Sequence, residues 1–187
     1  MKTKTNRSKF FLYIISLLVL LVNPNKTEAQ EMGSFHALRL APLGLSYSYE
    51  FAIYQQFGLL TEGGLVVGVY GKEKTANIQP YLNVEPRCYY NLSRRSRENK
   101  NIAYNSSNYL SLSAVAIFDP LSGAINFDLN PKWGIRRVLS SHFFWGLDLG
   151  VIFLYESKIK ELSIYPFPNL RIGYVLLKNP KIRSGEK

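Results

Sequence analysis

Ten ionisable residues set the chemistry open to this chain: Arg39, Glu50, Glu62, Glu85, Arg87, Asp128, Lys132, Arg136, Asp148 and Arg171. Glu85 with Arg87, or Asp128 with Lys132, could act as general acid and base if a substrate reached them. The same spacing serves structural ion pairs, which perturb one another without catalysis. The histidines are His36 and His142. His142 follows Ser140 and Ser141 in a short turn, where neighbouring side chains seldom converge as nucleophile and base, and His36 belongs to an apolar face. No histidine or cysteine cluster has metal-ligand spacing and no glycine-rich phosphate loop opens a helix, so neither a metal nor a cofactor is expected. No catalytic residue is assigned, and the chain reads as non-enzymatic. Cys88, the one cysteine, can form no disulfide within the chain and reads as a small apolar residue.

The elements that must position these charges are strands. From Ile125 to Arg136, Ile125, Phe127, Leu129, Pro131, Trp133 and Ile135 alternate with Asn126, Asp128, Asn130, Lys132, Gly134 and Arg136. Phe143 to Phe153, Leu170 to Leu176, Leu45 to Ile53 and Leu82 to Tyr90 repeat the pattern, and weaker versions lie at 34–41, 58–70 and 109–118. Turn residues separate about eight strands and leave no segment for a helix. Pro86, Pro131, Pro166 and Pro168 each remove an N–H from such a sheet, which predicts bulges there and a last strand beginning near Asn169.

Lys2, Lys4, Arg7 and Lys9 precede the apolar run Phe10 to Val22, and Thr27-Glu28-Ala29 offers a cleavage site. The run has 13 residues, short of the roughly 20 that a spanning helix needs. Residues 1–29 are therefore read as a cleavable export signal, 30–177 as one domain and 178–187 as a basic tail. With 47% apolar and 19% charged residues the chain is not a disordered one, and no later apolar stretch reaches the length of a helical span.

Which face is the inside follows from counting. Extending the parity to the weaker strands puts Arg39, Arg87, Lys132, Arg136 and Arg171 on the same face as Glu50, Glu62, Glu85, Asp128 and Asp148: five cations against five anions. A mature chain of net charge +6 gives no reason for that balance on a solvated face. An eight-stranded barrel has an interior just wide enough for side chains, so inward charges must pair among themselves. Glycines on that face, including Gly134, Gly146, Gly150 and Gly173, would make room for long arginines. The expectation is a closed antiparallel up-and-down transmembrane β-barrel with an ion-paired, filled lumen and an outer face of aliphatic and aromatic groups.

An even strand number and an exported N-terminus place both ends on the periplasmic side. Arg94, Arg95, Arg97, Lys100, Arg137, Lys178, Lys181 and Arg183 then form a basic periplasmic rim, expected to meet anionic lipid headgroups or a periplasmic partner if it is more than a solvated face. Nucleic acid is not a partner an exported chain meets. If the orientation is reversed, the same rim meets lipopolysaccharide phosphates.

The segment Glu85-Pro86-Arg87-Cys88-Tyr89-Tyr90-Asn91-Leu92-Ser93-Arg94-Arg95, with Tyr104 to Leu112, Pro131 to Arg137, Ser141-His142-Phe143 and Leu170 to Tyr174, resembles the small outer-membrane β-barrel proteins common in Bacteroidetes. The resemblance spans about residues 34–177 and implies that fold and the bacterial outer membrane as location; the family, largely uncharacterised, implies no activity. The resulting expectation is a structural or interaction component of the envelope in contact with outer-membrane lipid, its oligomeric state left open. The rivals are an outer-membrane lipid-modifying enzyme built on His36 or His142, and a soluble periplasmic β-barrel carrier of an apolar ligand with Leu147 and Leu149 inward.

Overall fold

The computed structural model describes residues 32–70 and 75–178. The export signal, Lys72, Lys74, Lys181, Arg183 and the rest of the tail lie outside the described residues. Eight antiparallel strands form a closed barrel: β1 Phe35–Ala41, β2 Gly44–Tyr54, β3 Phe57–Tyr70, β4 Thr75–Cys88, β5 Asn108–Phe118, β6 Ile125–Val138, β7 Phe143–Glu156 and β8 Glu161–Lys178. Each strand pairs with the next, and β8 pairs back onto β1.

Alternation becomes facing directly. Along β6, Asn126, Asn130, Lys132, Gly134 and Arg136 are buried while Ile125, Phe127 and Leu129 are exposed. The register sets large inward groups beside small ones: Arg136 pairs with Gly146, Gly146 with Arg171, and Lys132 with Gly150. Two other inward glycines serve rings rather than arginines. A Cβ on Gly134 would overlap the Tyr109 ring, and one on Gly173 would overlap Phe144.

The prolines do not produce bulges. No pairs form between Glu85-Pro86 and β5 or between Asn130-Pro131 and β7, yet the register is the same on either side of each gap. β8 begins at Glu161, not near Asn169, and runs past Pro166 and Pro168 without a register shift against β7. The Val175 N–H donates to His142 O at 2.8 Å, so odd-numbered residues of β8 hydrogen-bond toward β7 and even-numbered ones toward β1. β1 pairs with β8 only as far as Leu40 with Ile172. Pro166 and Pro168 therefore lie on an edge with no strand to receive an N–H, which is where proline is tolerated.

One end of the barrel carries the ends of the wall at Phe35 and Lys178, the turn at Gln55-Gln56, the turn at 139–142 and the long connection 89–107. That connection contains the helix α1 (Leu92–Arg97) and a short 3-10 turn (Ala103–Asn105), elements the alternation leaves no place for. The opposite end carries Pro42-Leu43 and the connections at 119–124 and 157–160.

Candidate functional site

The interior is organised around buried carboxylates. Glu50 on β2 meets Arg136 Nη2 at 2.8 Å and Nη1 at 3.2 Å, Arg87 Nη1 at 3.4 Å and Arg39 Nη2 at 3.6 Å. It also accepts hydrogen bonds from Tyr89 Oη at 2.5 Å and Asn105 Nδ2 at 2.8 Å. Glu85 holds Arg87 Nε at 2.8 Å and Lys132 Nζ at 2.9 Å. Glu62 accepts from Ser46 Oγ at 2.5 Å and Tyr81 Oη at 2.8 Å and lies 3.5 Å from Arg39 Nη1. Asp148 accepts from Tyr109 Oη at 2.5 Å and pairs with Arg171 Nη2, whose Nη1 is 3.8 Å from Glu62. A buried charge is tolerable only when paired and hydrogen-bonded in this way.

Nine of the ten sequence-selected charges thus form one network. Asp128 does not belong to it. It is half-buried, forms no ion pair among the described residues, and leaves Oδ1 without a hydrogen-bond partner. The reason is distance along the strand. Lys132, the next inward cation on β6, lies four residues on, roughly 13 Å at the usual strand rise, and Glu85 engages it.

Aromatic rings seal the 89–107 end. Phe35, Tyr104, Phe144 and Val175 form one buried cluster, and Met32, Tyr89, Leu92 and Tyr109 another. Arg136 Cζ stands 4.9 Å from the Phe144 ring centre and 5.4 Å from that of Phe35, and Arg87 Cζ lies 4.5 Å from that of Tyr109, so the guanidinium groups themselves lie against aromatic rings. Tyr104 (φ 54°) and Asn105 (φ 55°) adopt left-handed backbone, which turns the chain into the barrel end. Asn105 Nδ2 bonds Gly33 O at 3.0 Å as well as Glu50, Gly33 N–H donates back to Asn105 Oδ1 at 3.0 Å, and Tyr104 Oη donates to Ser141 O. Tyr104 and Asn105, which help close the end, lie outside every alternating run.

The rim residues gather at that same end but do not act alike. Arg94 and Lys100 both engage Glu98, at 2.8 and 2.6 Å, and these hydrogen bonds, Lys100 first, hold the Glu98 carboxyl down to about 2. Arg97 is exposed, Arg95 Nη2 bonds Asn101 O at 3.1 Å, and Arg137 bonds Asn108 Oδ1 at 2.7 Å. Lys178 closes β8.

No protein-family model, no curated protein and no solved structure matches this chain.

Toward the opposite end the interior loosens into a chamber of about 420 Å³ with Arg39, Glu62, Lys132 and Arg171 on its floor. Its upper wall is apolar, formed by Val66, Val115, Ile117, Ile152 and Phe167, and it includes Asp128 and Asn130. Neither histidine reaches it. His36 bonds Tyr47 Oη at 2.6 Å and stacks on Tyr49 on the outside, and exposed His142 pairs with its neighbour Ser141 Oγ at 3.0 Å. The facing that a soluble carrier requires is reversed: Asp148 is 0% exposed and Leu149 47%. Half-buried Cys88 lies beside Leu110.

Proposed function

We propose that this chain is an integral β-barrel of a bacterial outer membrane, a non-enzymatic structural or interaction component of the envelope that forms no pore. The observation that carries the reading is the inverted facing. Buried Arg39, Arg87 and Arg136 occupy the centre while Leu82, Ile164, Ile78, Leu65, Leu129 and Leu170 stand exposed around the outside. In water so extensive an apolar girdle would drive association, whereas hydrocarbon matches it, and a closed barrel pairs each strand's backbone with its neighbours inside the wall. The rings across the 89–107 end support the absence of a through-channel. The likeness of Glu85 to Arg95 to the Bacteroidetes barrels agrees with this reading.

In this account the 89–107 end faces the periplasm, and Arg94, Arg95, Arg97, Lys100 and Arg137 hold anionic headgroups or a periplasmic partner there. Fractionation tests the placement: the protein should stay with membranes through carbonate extraction and migrate differently on a gel before and after heating. Release into the carbonate supernatant, with no heat-dependent shift, would overturn it.

A further inference from the structure

The wall of the barrel is incomplete beside the chamber. The β1–β2 hairpin turns back at Pro42-Leu43, while β3 continues to Tyr70 and β8 reaches back to Glu161. Among the described residues β8 thus has no partner on its β1 side before Ile172, and the prolines at 166 and 168 remove two of the N–H groups from that edge. Chamber lining passes through this notch, for it includes the edge residues Pro42, Leu43, Pro166 and Pro168 as well as inward Ile152 and Phe167. Exposed Leu40, Leu43, Leu45 and Leu170 flank the opening. Its sill is as apolar as the outer belt.

Inside, the unmet polar atoms are of two kinds: on the floor the Arg39 guanidinium and Arg171 Nε make no hydrogen bond although carboxylates flank both side chains, while on the β6 wall it is acceptors that lack donors. Lys132 and Arg171 are engaged by Glu85 and Asp148, and Arg39 stands between Glu50 and Glu62. Asp128 has no cation among the described residues, and Asn130, only 4% exposed, has its Oδ1 without a hydrogen-bond partner. These neighbouring inward residues of β6 stand in the same chamber as the apolar surface of Val115, Ile152 and Phe167. An unpaired carboxylate and an unpaired amide oxygen beside aliphatic wall complement a cationic, donor-rich head on an alkyl chain.

We infer that the notch between the β1–β2 hairpin and β8 admits a single-chain amphiphile with an ammonium head from the bilayer, the head resting at Asp128 and Asn130 and the chain against Phe167 and Ile152. The inference rests on the membrane placement proposed above and extends it to a ligand.

The full-length protein, reconstituted in phosphatidylethanolamine–phosphatidylglycerol vesicles, is exposed to hexadecylamine carrying a diazirine in its chain and, separately, to hexadecanoic acid with the same diazirine. Illumination and peptide mapping should place the amine on Phe167, Ile152 or Val115 and on the notch residues Leu43 or Pro168, with the acid about tenfold weaker there. Asp128→Asn should reduce interior labelling by the amine about tenfold. This variant removes no ion pair, so it keeps the fold, and its heat-dependent gel shift verifies that. Labelling confined to outward residues such as Leu149 and Val151, equal interior labelling by the acid, or no effect of Asp128→Asn would each overturn the inference while leaving the membrane placement intact. Failure of the unmodified protein to remain with carbonate-washed vesicles would remove both.

Discussion

Glu50 and Arg136, 86 positions apart, face each other inside the barrel as a two-point pair, with Arg136 Nη2 2.8 Å from Glu50 Oε2 and Nη1 3.2 Å from Oε1. The pair ties β2 to β6 across the interior, which no neighbouring-strand hydrogen bond does. Arg87 and Arg39 converge on the same carboxylate, so its negative charge is shared by three guanidinium groups.

Removing that charge should therefore cost more than any single contact suggests. Glu50→Gln leaves buried arginines with less compensation, and unfolding of the reconstituted barrel in urea should show a loss of about 3–5 kcal/mol. Arg137→Gln, at a half-buried rim position, should cost less than about 1 kcal/mol. Equal losses for the two variants would show that Glu50 is not the centre of the network.

Ring packing at the sealed end makes a separate prediction. A methyl on Gly173 meets Phe144, which in turn supports Phe35, Tyr104 and the Arg136 guanidinium. Gly173→Ala should destabilise by about 1–3 kcal/mol, the range for overpacking a filled interior. Thermal unfolding followed by the gel shift measures it, and an unchanged midpoint would mean that the rings do not hold this end.

The prolines at 166 and 168 have the opposite expectation. Because their nitrogens face no strand, Pro168→Ala breaks no strand pairing, and the variant should keep the fold and its heat-dependent gel shift. Hydrogen exchange should then find a fast amide at position 168. A strongly protected one would show that this edge is covered.

Acid should loosen the rim before the barrel. The Glu98 carboxyl falls from its ordinary 4.5 to about 2 when it accepts from Lys100 and Arg94. A carboxyl depressed on folding contributes stability above its unfolded value, and that contribution is lost as pH drops through the folded one. With the intrinsic pH dependence of exchange divided out, amide protection around α1 should be constant above about pH 5 and fall as pH drops from 4.5 toward 2. Glu98→Gln should abolish the dependence, and high salt should weaken it. A transition nearer neutrality would assign the effect to another group.

The barrel is legible in the sequence because its two faces differ in kind. Twelve alternating residues on β6 admit one register, and a slip by one would turn Lys132 and Arg136 outward. The closed end was not legible. Tyr104 and Asn105 act through left-handed backbone and contacts with residues far away in the chain, and period two says nothing of either. Helix α1 is a single short turn region with three arginines and one buried leucine, too brief for a helical period to stand out. Asp128 shows the limit of counting charges: parity places it inward, but only strand height decides whether a cation is in reach. The prolines of β8 misled for a related reason. Their tolerance depends on where β1 stops, which the residues of β8 themselves do not encode.

The inside-out assignment underlies everything else, and accessibility tests it most directly. In a Cys88→Ser background, single cysteines replace outward Leu129 and Leu149 and inward Ser113 and Ser48, and intact outer-membrane vesicles are treated with a membrane-impermeant maleimide and, separately, with a bimane label quenched by brominated lipid. The account predicts that Leu129→Cys and Leu149→Cys resist the maleimide and are quenched by the lipid, while Ser113→Cys and Ser48→Cys show no lipid quenching. Rapid maleimide labelling at 129 and 149 without lipid quenching would contradict it.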